Sequence, residues 1–529
     1  MFATIVRSGV VIDGTANPAT VADVGIRNGR IEAVGDLYGA HAAREIDASG
    51  RVVAPGFIDV HTHTDLAAYL PPEAGGVKLA GVRQGVTTEV AGNCGWTPFP
   101  AAAGRRNEIK EHISAVFGPA TRTFDTFEAY RVEIAEQPLP VNLAPLVGHG
   151  TLRAAVVGLG RAQPEAGTVR ALRAALAEAL DHGAFGMSSG LVYPPGVYSH
   201  PTELHDLGVV LARRGRIYAT HMRNDMDLVH EAVTEAIDVG RETGVAVQLS
   251  HLKVAGRQQW GTAEAILDQI GHAVAGGVDA RGDVYPYAAS STLLRALLPP
   301  WVNEGGVEAM LHRLTVPAAR HRIEAEFRTG LPGWQNFAAA AGWNGITIAS
   351  APARPELEGR SISEIADDVG LPPGEVVADL LLQLRADCVV VLHKMNEDDV
   401  RTFVSDPNVL IGSDTIPLPG RPHPRTAGTF ARVLGRYVRD EGSADLHQMV
   451  RRMTSAAAER FNIPERGRLA PGYVADLVVF DPETVTDKAT FASPLLPPKG
   501  IDHVLVAGEQ VIRAGADTGA RPGQVLEPA

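Results

Sequence analysis

Two histidines, His61 and His63, close an apolar segment that starts at Gly56. In an extended strand, side chains two residues apart point to the same face, so both imidazoles can bind one divalent metal ion. The pair alone is a weak signal, because a strand end with two packed or solvated histidines has the same spacing. Further candidate ligands follow other apolar segments. We therefore predict that His61 and His63 are metal ligands.

Three more candidate ligands, Cys94, His221 and His251, each follow an apolar segment. A thiol beside a divalent cation can lose its proton, bind the cation and even bridge two cations. His221 and His251 are 30 residues apart, about the length of one βα unit, so we expect equivalent positions on neighbouring strands. Each residue alone has a simpler explanation, an inert packed cysteine or a structural histidine. Their recurrence favours a metal centre.

Asp414 ends the last of these apolar segments, residues 409–413. A carboxylate that touches both the metal and a bound water can accept a proton from the water and return it to a leaving group. The alternative is an N-cap for the next helix, for which Asp is well suited. We predict that Asp414 is both a metal ligand and the general acid/base of a metal-assisted hydrolysis.

The composition indicates a globular enzyme that acts on a small molecule. The 529 residues are 45% hydrophobic and 21% charged, with 48 Lys and Arg against 61 Asp and Glu. A net charge of -13 argues against a nucleic-acid partner, which requires a basic surface. We find neither a secretory signal nor an apolar run long enough for a membrane span. Two cysteines fit a reducing compartment, so we expect a cytoplasmic protein, and a homo-oligomer is left open.

The candidate ligands lie at the ends of alternating strands and helices, which indicates an α/β protein with a parallel sheet. Apolar helical spacing is present at 169–180 and 228–239, for example. Eight such strands predict a (β/α)8 TIM-like barrel, whose functional residues lie at the strand ends. The predicted strands are 56–63, 86–94, 141–149, 184–189, 216–221, 245–251, 278–285 and 409–414.

The two chain ends have a different sequence pattern from the middle. Short apolar runs separated by turn residues predict that 1–54 and 456–529 form one discontinuous β-rich domain, with the barrel at 55–455. An insertion at about 290–405, with short helices at 362–369 and 375–384, is either a lid over the barrel rim or a peripheral subdomain. We expect the proline-rich segment after Ala520 to be poorly ordered.

Taken together, the sequence resembles the amidohydrolase superfamily and, within it, the D-aminoacylase (N-acyl-D-amino-acid deacylase) family, over essentially the whole chain. The first motif and the aspartate are shared across the superfamily, whereas the cysteine is specific to this subgroup. Trp96, after the cysteine motif, departs from the family pattern and affects the expected shape of the substrate mouth. The motifs are PGFIDVHTH (55–63), GNCG (92–95), SSGL (188–191), THMR (220–223), SHLK (250–253), DVYPY (283–287), GSD (412–414) and HPR (423–425).

The resemblance implies a Zn2+ ion held tightly by Cys94, His221 and His251, and a second, weakly occupied site near His61 and His63. It implies Asp414 as the acid/base and a small β-sandwich domain built from both chain ends. Residues implied to bind the substrate carboxylate are Lys253, Arg425, Tyr285 and Ser291. An ammonium and a guanidinium suit that role, since both make charge-assisted bonds to carboxylates. Tyr193 and His149 either line the cavity or belong to the packed core.

The implied reaction is hydrolysis of an N-acyl-D-amino acid to a carboxylate and a free D-amino acid. The leucines of segment 292–298 favour an apolar or neutral side chain, whereas Arg295 favours an acidic one if it faces inward. We expect the apolar or neutral class. Two alternatives remain: a cyclic amidase of the hydantoinase or dihydroorotase type, and a non-catalytic barrel that acts as a scaffold.

Overall fold

The computed structural model describes residues 1–71, 74–101 and 103–529. Its strands are β1 (Phe2–Val11), β2 (Thr20–Arg27), β3 (Arg30–Gly35), β4 (Ala42–Asp47), β5 (Val52–Pro55), β6 (Phe57–Asp59), β7 (Val86–Ala91), β8 (Asn142–Pro145), β9 (Val147–Gly148), β10 (Gly186–Gly190), β11 (Ile217–His221), β12 (Ala246–Leu249), β13 (Ala280–Val284), β14 (Ser290–Leu293), β15 (Ile346–Ser350), β16 (Val389–Leu392), β17 (Leu410–Ile411), β18 (Leu477–Phe480), β19 (Ile501–Val506), β20 (Glu509–Arg513) and β21 (Ala516–Asp517).

The helices lie mainly between the strands of the middle of the chain. They are α1 (Gly75–Lys78), α2 (Arg106–Phe117), α3 (Phe127–Ala135), α4 (His149–Val156), α5 (Ala166–Asp181), α6 (Pro201–Ala212), α7 (Val229–Thr243), α8 (Ala263–Ala275), α9 (Val307–Leu314), α10 (Pro317–Thr329), α11 (Phe337–Ala341), α12 (Ile362–Val369), α13 (Pro373–Gln383), α14 (Glu397–Ser405), α15 (Arg425–Arg432), α16 (Leu446–Met453) and α17 (Ser455–Phe461). Helix α15 continues as a π-helix, Val433–Asp440. Within the described residues, no helix is long and apolar enough to cross a membrane.

Nine parallel strand segments form a closed barrel of eight strands, in which β8 and β9 together make one interrupted strand. Strands β6, β7 and β8 pair in parallel, and β9 to β13 continue the wall to β17. The wall closes where the Asp414 backbone N–H donates to His61 O at 2.8 Å and the His63 N–H donates to Thr415 O at 2.9 Å. The barrel prediction is confirmed. The predicted third strand is interrupted, because β8 and β9 are separated by Leu146 and a helix begins at His149.

The barrel interior is filled by apolar residues that alternate along the strands with outward-facing ones. Those that pack together inside include Ile58, Val90, Ala144, Phe185, Ile217, Ala219 and Leu410. Outside, helix α7 buries Val229, Val233 and Ile237, spaced at four residues, against the wall. It ends at Gly244, whose φ of 75° is the left-handed conformation that glycine adopts without strain. The helices predicted at 169–180 and 228–239 correspond to α5 and α7.

One sheet contains strands from both chain ends, in the order β21-β20-β19-β18-β5-β1-β2-β3, with β4 paired to β1. Strand β5 joins the two ends, because it pairs in parallel with β1 and antiparallel with β18. The apolar side of the sheet includes Val6, Val24, Val53 and Leu505. We propose the division of the chain into 1–54 plus 456–529 and 55–455 on this basis.

The C-terminal segment does not behave as predicted. The Leu143 N–H donates to Gln524 O and the Leu526 N–H donates to Leu143 O, both at 2.8 Å, so the segment lies along β8. The side chain of Leu526 is buried against the base of the barrel. The expectation of poor order after Ala520 is therefore wrong, because backbone pairing and apolar burial outweigh the proline content of the segment.

The insertion between β13 and β17 is a packed subdomain. Strands β14, β16 and β15 form an antiparallel sheet, and helices α9 to α13 bury their apolar faces against it. Helix α12 begins with a capping box in which Ser361 and Glu364 satisfy each other's backbone N–H groups. The predicted helices at 362–369 and 375–384 correspond to α12 and α13. Helix α14 returns to the outside of the barrel, and β14 and the segment after β16 reach the barrel rim.

Candidate metal centre and substrate cavity

The Cys94 thiol lies at the centre of the candidate metal site. Its Sγ is 3.5 Å from His221 Nδ1 and 3.4 Å from His251 Nε2. In a tetrahedral site, a Zn–S bond of about 2.3 Å and Zn–N bonds of about 2.0–2.1 Å place sulfur and nitrogen about 3.5 Å apart. The spacing of these three donors therefore fits a zinc ion, and a thiolate with two imidazoles is a donor set that zinc prefers.

A second group of donors shares the same sulfur. His61 Nε2 is 3.4 Å from Cys94 Sγ, and Asp414 Oδ1 is 3.6 Å from His61 Nε2 and 3.3 Å from His63 Nε2. The ligand atoms of these four residues lie within 4.8 Å of one another. All six positions predicted as ligands are thus buried together, and Cys94 belongs to both groups.

The ends of the strands bring these side chains together. Cys94, His251 and Asp414 have φ angles of 52°, 38° and 53°, so the chain turns sharply at each of them. The turn before Cys94 requires Gly92, because a Cβ there would lie 2.5 Å from Leu146 O. Sharp turns at the strand ends aim the side chains over the barrel mouth instead of along its wall.

Asp283, which lies on β13, orients two of the candidate ligands. Its Oδ1 accepts from the His251 backbone N–H at 2.7 Å and lies 3.5 Å from His61 Nδ1. Its Oδ2 accepts from Gln248 Nε2 at 2.8 Å. A carboxylate behind a metal-binding histidine fixes the orientation of the ring. Asp283 lies in a motif noted in the sequence, but its supporting role was not predicted.

Burial sets the protonation states of the site. It lowers the pKa of His221 to about 3 and that of His251 well below its usual value, with Lys253 adding to both effects. Both imidazoles are therefore neutral, which metal binding requires. Burial alone would raise the pKa of Asp414, but the Arg425 guanidinium and the hydrogen bond with His63 outweigh it and hold the pKa well below its usual range. Asp414 is thus a carboxylate.

A cavity opens above the candidate ligands. Its walls include Lys253, Tyr285, Ser291 and Tyr193, all predicted to contact the substrate. Tyr193 OH hydrogen-bonds with Thr292 Oγ1 at 2.9 Å, and Ser291 Oγ donates to Val390 O at 3.0 Å.

Arg425 lies behind the cavity wall, and its side chain is almost completely buried. Its Nη1 is 2.7 Å from Asp414 Oδ2, and its guanidinium carbon is 4.6 Å from the centre of the Tyr285 ring. The contact with Asp414 was not anticipated from the sequence.

His149 does not line the cavity. Its Nε2 is 2.8 Å from Glu203 Oε1, and Arg153 contacts the same carboxylate from the other side. All three side chains are buried. Of the two roles considered for His149, the geometry favours the packed core, where it connects the start of α4 to Glu203 on α6.

Sequence reasoning missed two charged residues of the cavity and part of its apolar wall. Asp225, in the loop after β11, and Lys394, just after β16, both line the cavity and contact each other. Phe337 and Leu392 of the insertion add apolar wall. Neither charged residue ends a predicted strand or lies in a recognised motif. The Leu392-His393-Lys394 segment offered no other signal.

Arg295 lies in a smaller adjoining cavity, which shares Trp96, Tyr193 and Leu293 with the first. Its Nη2 donates to His112 O at 2.6 Å, and its guanidinium lies 5.7 Å from the centre of the Trp96 ring. Burial lowers the pKa of Arg295 to about 10, and the described residues that line this cavity include no carboxylate. The arginine therefore faces the interior, as the acidic alternative requires.

A closed (β/α)8 barrel with imidazole, thiol and carboxylate donors at its C-terminal rim defines the metal-dependent hydrolase class. The chain belongs to the amidohydrolase family, whose family model, described as "Amidohydrolase family", matches residues 44–512. Within that family it belongs to the D-aminoacylase group. The fold class predicted from the sequence, barrel and small β-sandwich domain together, is confirmed by the likeness to solved structures of this group.

The relatives that carry this assignment span the whole chain. The N-acyl-D-glutamate deacylase of Alcaligenes xylosoxydans xylosoxydans is 38% identical over 99% of this chain and 96% of its own length. The D-aminoacylase of the same organism is 37% identical over 99% and 97%. A crystal structure of N-acyl-D-glutamate deacylase from Bordetella bronchiseptica, complexed with zinc and a phosphonate inhibitor, has a TM-score of 0.85 at 37% identity, covering 99% of each chain.

Proposed function

We propose that the protein hydrolyses N-acyl-D-amino acids to a carboxylate and a free D-amino acid, with zinc held by Cys94, His221 and His251. The observation that carries the proposal is the spacing of 3.4–3.5 Å between Cys94 Sγ and the two imidazoles. His61, His63 and Asp414 form a second site that shares the sulfur. The deacylase relatives support the reaction, and the zinc-bound relative supports the metal.

Asp414 moves the proton in this proposal. A zinc ion held by Cys94, His221 and His251 would lower the pKa of a water molecule to about 7 and would polarise the scissile carbonyl. The Asp414 carboxylate accepts the proton of the attacking water and gives it to the departing amine nitrogen. Arg425, 2.7 Å from Asp414 Oδ2, keeps that carboxyl group ionised and oriented before the attack.

Lys253, Tyr285 and Ser291 form the wall that receives the substrate α-carboxylate in this proposal, and Tyr193 lines the same cavity. Arg425 supports this subsite from behind the wall through the Tyr285 ring. With the α-carboxylate and the acyl carbonyl fixed, the two enantiomers point their side chains in different directions, so a site with room in one of these directions selects one enantiomer.

The cavity that Arg295 lines is the proposed side-chain pocket. The sequence favoured apolar or neutral side chains, but a buried guanidinium with no carboxylate among the described residues that line the cavity favours an acidic one. Replacing Arg295 with Met removes the charge and leaves a shorter, unbranched apolar side chain. If the pocket selects acidic side chains, the variant loses activity on N-acetyl-D-glutamate and gains on N-acetyl-D-methionine. Equal changes on both substrates would exclude this role.

The test of the reaction itself is an assay of racemic N-acetyl amino acids with the zinc-loaded protein and chiral analysis of the product. Release of D-amino acids alone supports the proposal. Release of L-amino acids alone, or of none, would reject it. Faster turnover of hydantoins or dihydropyrimidines would instead favour the cyclic amidase alternative. A stable protein that binds no metal would favour the scaffold alternative.

The remaining sequence-based expectations are part of the same proposal. A cytoplasmic location fits the two cysteines, both of which are buried thiols. The natural partner is the small-molecule substrate, and a homo-oligomer stays open. Size-exclusion chromatography with light scattering measures the oligomeric state directly.

A further inference from the structure

Lys394 is an ammonium group that the insertion delivers to the cavity. It follows the end of β16 by two residues, and its side chain is 2% exposed. Two contacts tie this segment to the barrel: Lys394 O accepts from the Gly256 backbone N–H at 2.8 Å and from Trp260 Nε1 at 3.3 Å. The position of the ammonium is therefore fixed by the packing of the insertion on the barrel.

Asp225 stands between Lys394 and a second lysine. Lys394 Nζ is 3.3 Å from Asp225 Oδ1 and 3.2 Å from Oδ2, while Lys253 Nζ is 3.7 Å from Oδ2. The aspartate is itself held by its backbone, because its N–H donates to Gln335 Oε1 at 3.1 Å and its carbonyl accepts from the Ala255 N–H at 2.8 Å. One carboxylate thus orients two ammonium groups.

The charges in this corner do not balance. Asp225 supplies one negative charge against the two lysines, all three are at least 95% buried, and all three line the cavity. The nearby guanidinium of Arg425 forms an ion pair with Asp414, so it does not change this balance. Each ammonium group has a polar partner, since Lys253 Nζ also lies 2.5 Å from His251 Nδ1. Burying a net positive charge is nevertheless costly, so this corner favours a ligand that brings a negative charge.

We propose that Lys394 binds the α-carboxylate of the substrate together with Lys253. Asp225 is then the positioning residue that orients both ammonium groups. The inference rests on the proposed function in taking an N-acyl amino acid as the ligand. It makes the insertion part of the substrate site, since Lys394, Leu392 and Phe337 all belong to it and all line the cavity. The Phe337 ring, 4.1 Å from Lys394 Nζ, shields the ammonium on one side.

The test compares zinc-loaded wild type with Lys394→Met on two substrates, an N-acetyl-D-amino acid and its carboxamide, which lacks the charge. Loss of one charge-assisted bond raises KM for the acid by about 10- to 100-fold, with a smaller effect on kcat. The KM for the carboxamide stays unchanged, because no carboxylate is present to be lost. Replacing a residue that only stabilises the fold would change KM for both substrates to the same extent.

Three further variants control the result. Lys394→Arg keeps the charge and restores part of the preference for the acid. Lys110→Met removes an exposed lysine and leaves KM unchanged for both the acid and the carboxamide. If Lys394→Met does not fold, Lys394→Gln, which removes the charge but keeps a polar group beside Asp225, is tested in the same way.

A folded, zinc-loaded variant at position 394 with an unchanged ratio of KM for acid and carboxamide overturns the inference. Failure of the proposed function gives a different result, because wild type would then hydrolyse no N-acyl-D-amino acid. In that case the binding of N-acetyl-D-amino acid, measured by calorimetry on wild type and Lys394→Met, decides the inference: equal affinity or no binding overturns it, and weaker binding to the variant supports it.

Discussion

At the scale of single residues, the site is a set of donors whose arrangement depends on backbone turns at strand ends. Cys94 and Asp414 differ in what they contribute: the sulfur is shared by both groups of donors, whereas the carboxylate belongs to the second group and contacts Arg425. Their roles can therefore be separated by substitution. Loss of the sulfur should remove the metal, and loss of the carboxylate should remove the proton transfer.

Replacing Asp414 with Asn keeps the size of the side chain but removes its ability to accept a proton. We expect kcat to fall by about 10²- to 10⁴-fold, the usual contribution of a general acid/base. Zinc stays bound, because Cys94, His221 and His251 are unchanged. Steady-state kinetics and elemental analysis of the same sample measure both effects. Retention of half the activity or more would exclude Asp414 as the acid/base.

Replacing Cys94 with Ser removes the thiolate from both groups of donors. An alcohol does not ionise readily, so we expect zinc affinity to fall by more than the roughly 10- to 100-fold that loss of an outer-sphere partner costs. The matched control is Cys388→Ser, since Cys388 is also buried but lies in the core of the insertion. Zinc affinity from competition with a chromogenic chelator should change only in the first variant.

The sequence predicted the six ligand positions because each follows an apolar segment, and parallel strands in a barrel place their ends together. It could not predict the contact between Asp225 and Lys394, which are 169 residues apart and come from a loop and an insertion. Neither position follows a periodic pattern. Their meeting depends on how the insertion packs on the barrel, which short-range patterns do not encode.

At the scale of elements, prediction succeeded where hydrophobic periodicity was strong and failed where composition misled. Helices α5 and α7 were predicted from apolar spacing, α12 and α13 as short helices of the insertion, and the barrel strands from apolar runs. The C-terminal segment was misjudged because prolines suggested disorder, while its stabilising contacts come from pairing with β8, nearly 400 residues away in the chain: Gln524 with Asn142 at a separation of 382. Single-sequence patterns do not reveal such distant pairing.

The C-terminal segment should contribute measurably to stability. Leu526 is 5% exposed and packs beneath the barrel, so Leu526→Ala removes buried apolar volume and leaves a cavity. We expect the free energy of unfolding to fall by about 2–5 kcal/mol. Leu496→Ala is the control, because this leucine is 47% exposed. Urea denaturation followed by circular dichroism gives both values, and equal stability of the two variants would contradict the packing described.

At the scale of the whole molecule, the candidate metal centre connects parts of the chain that are distant in sequence. Its donors come from β6, β7, β11, β12 and β17 or the turns that follow them, so an ion there contacts most of the barrel circumference. The insertion reaches the same cavity through Lys394. The sheet built from both chain ends is joined directly to the barrel, because one residue separates its strand β5 from barrel strand β6. Metal binding and global stability should therefore be coupled.

Removal of zinc tests this coupling. An ion that binds only the folded state stabilises it by about 4.1 kcal/mol when free zinc is 1,000 times its dissociation constant. We expect a chelator to lower the unfolding temperature and abolish activity, and added zinc to restore both. Cys94→Ser should respond to neither treatment, which ties the effect to this site and not to surface binding. Differential scanning calorimetry with and without chelator measures the shift. Identical unfolding temperatures for wild type in chelator and in zinc would mean that the donors at the barrel rim do not hold a structural ion, and the hydrolase proposal would lose its main physical support.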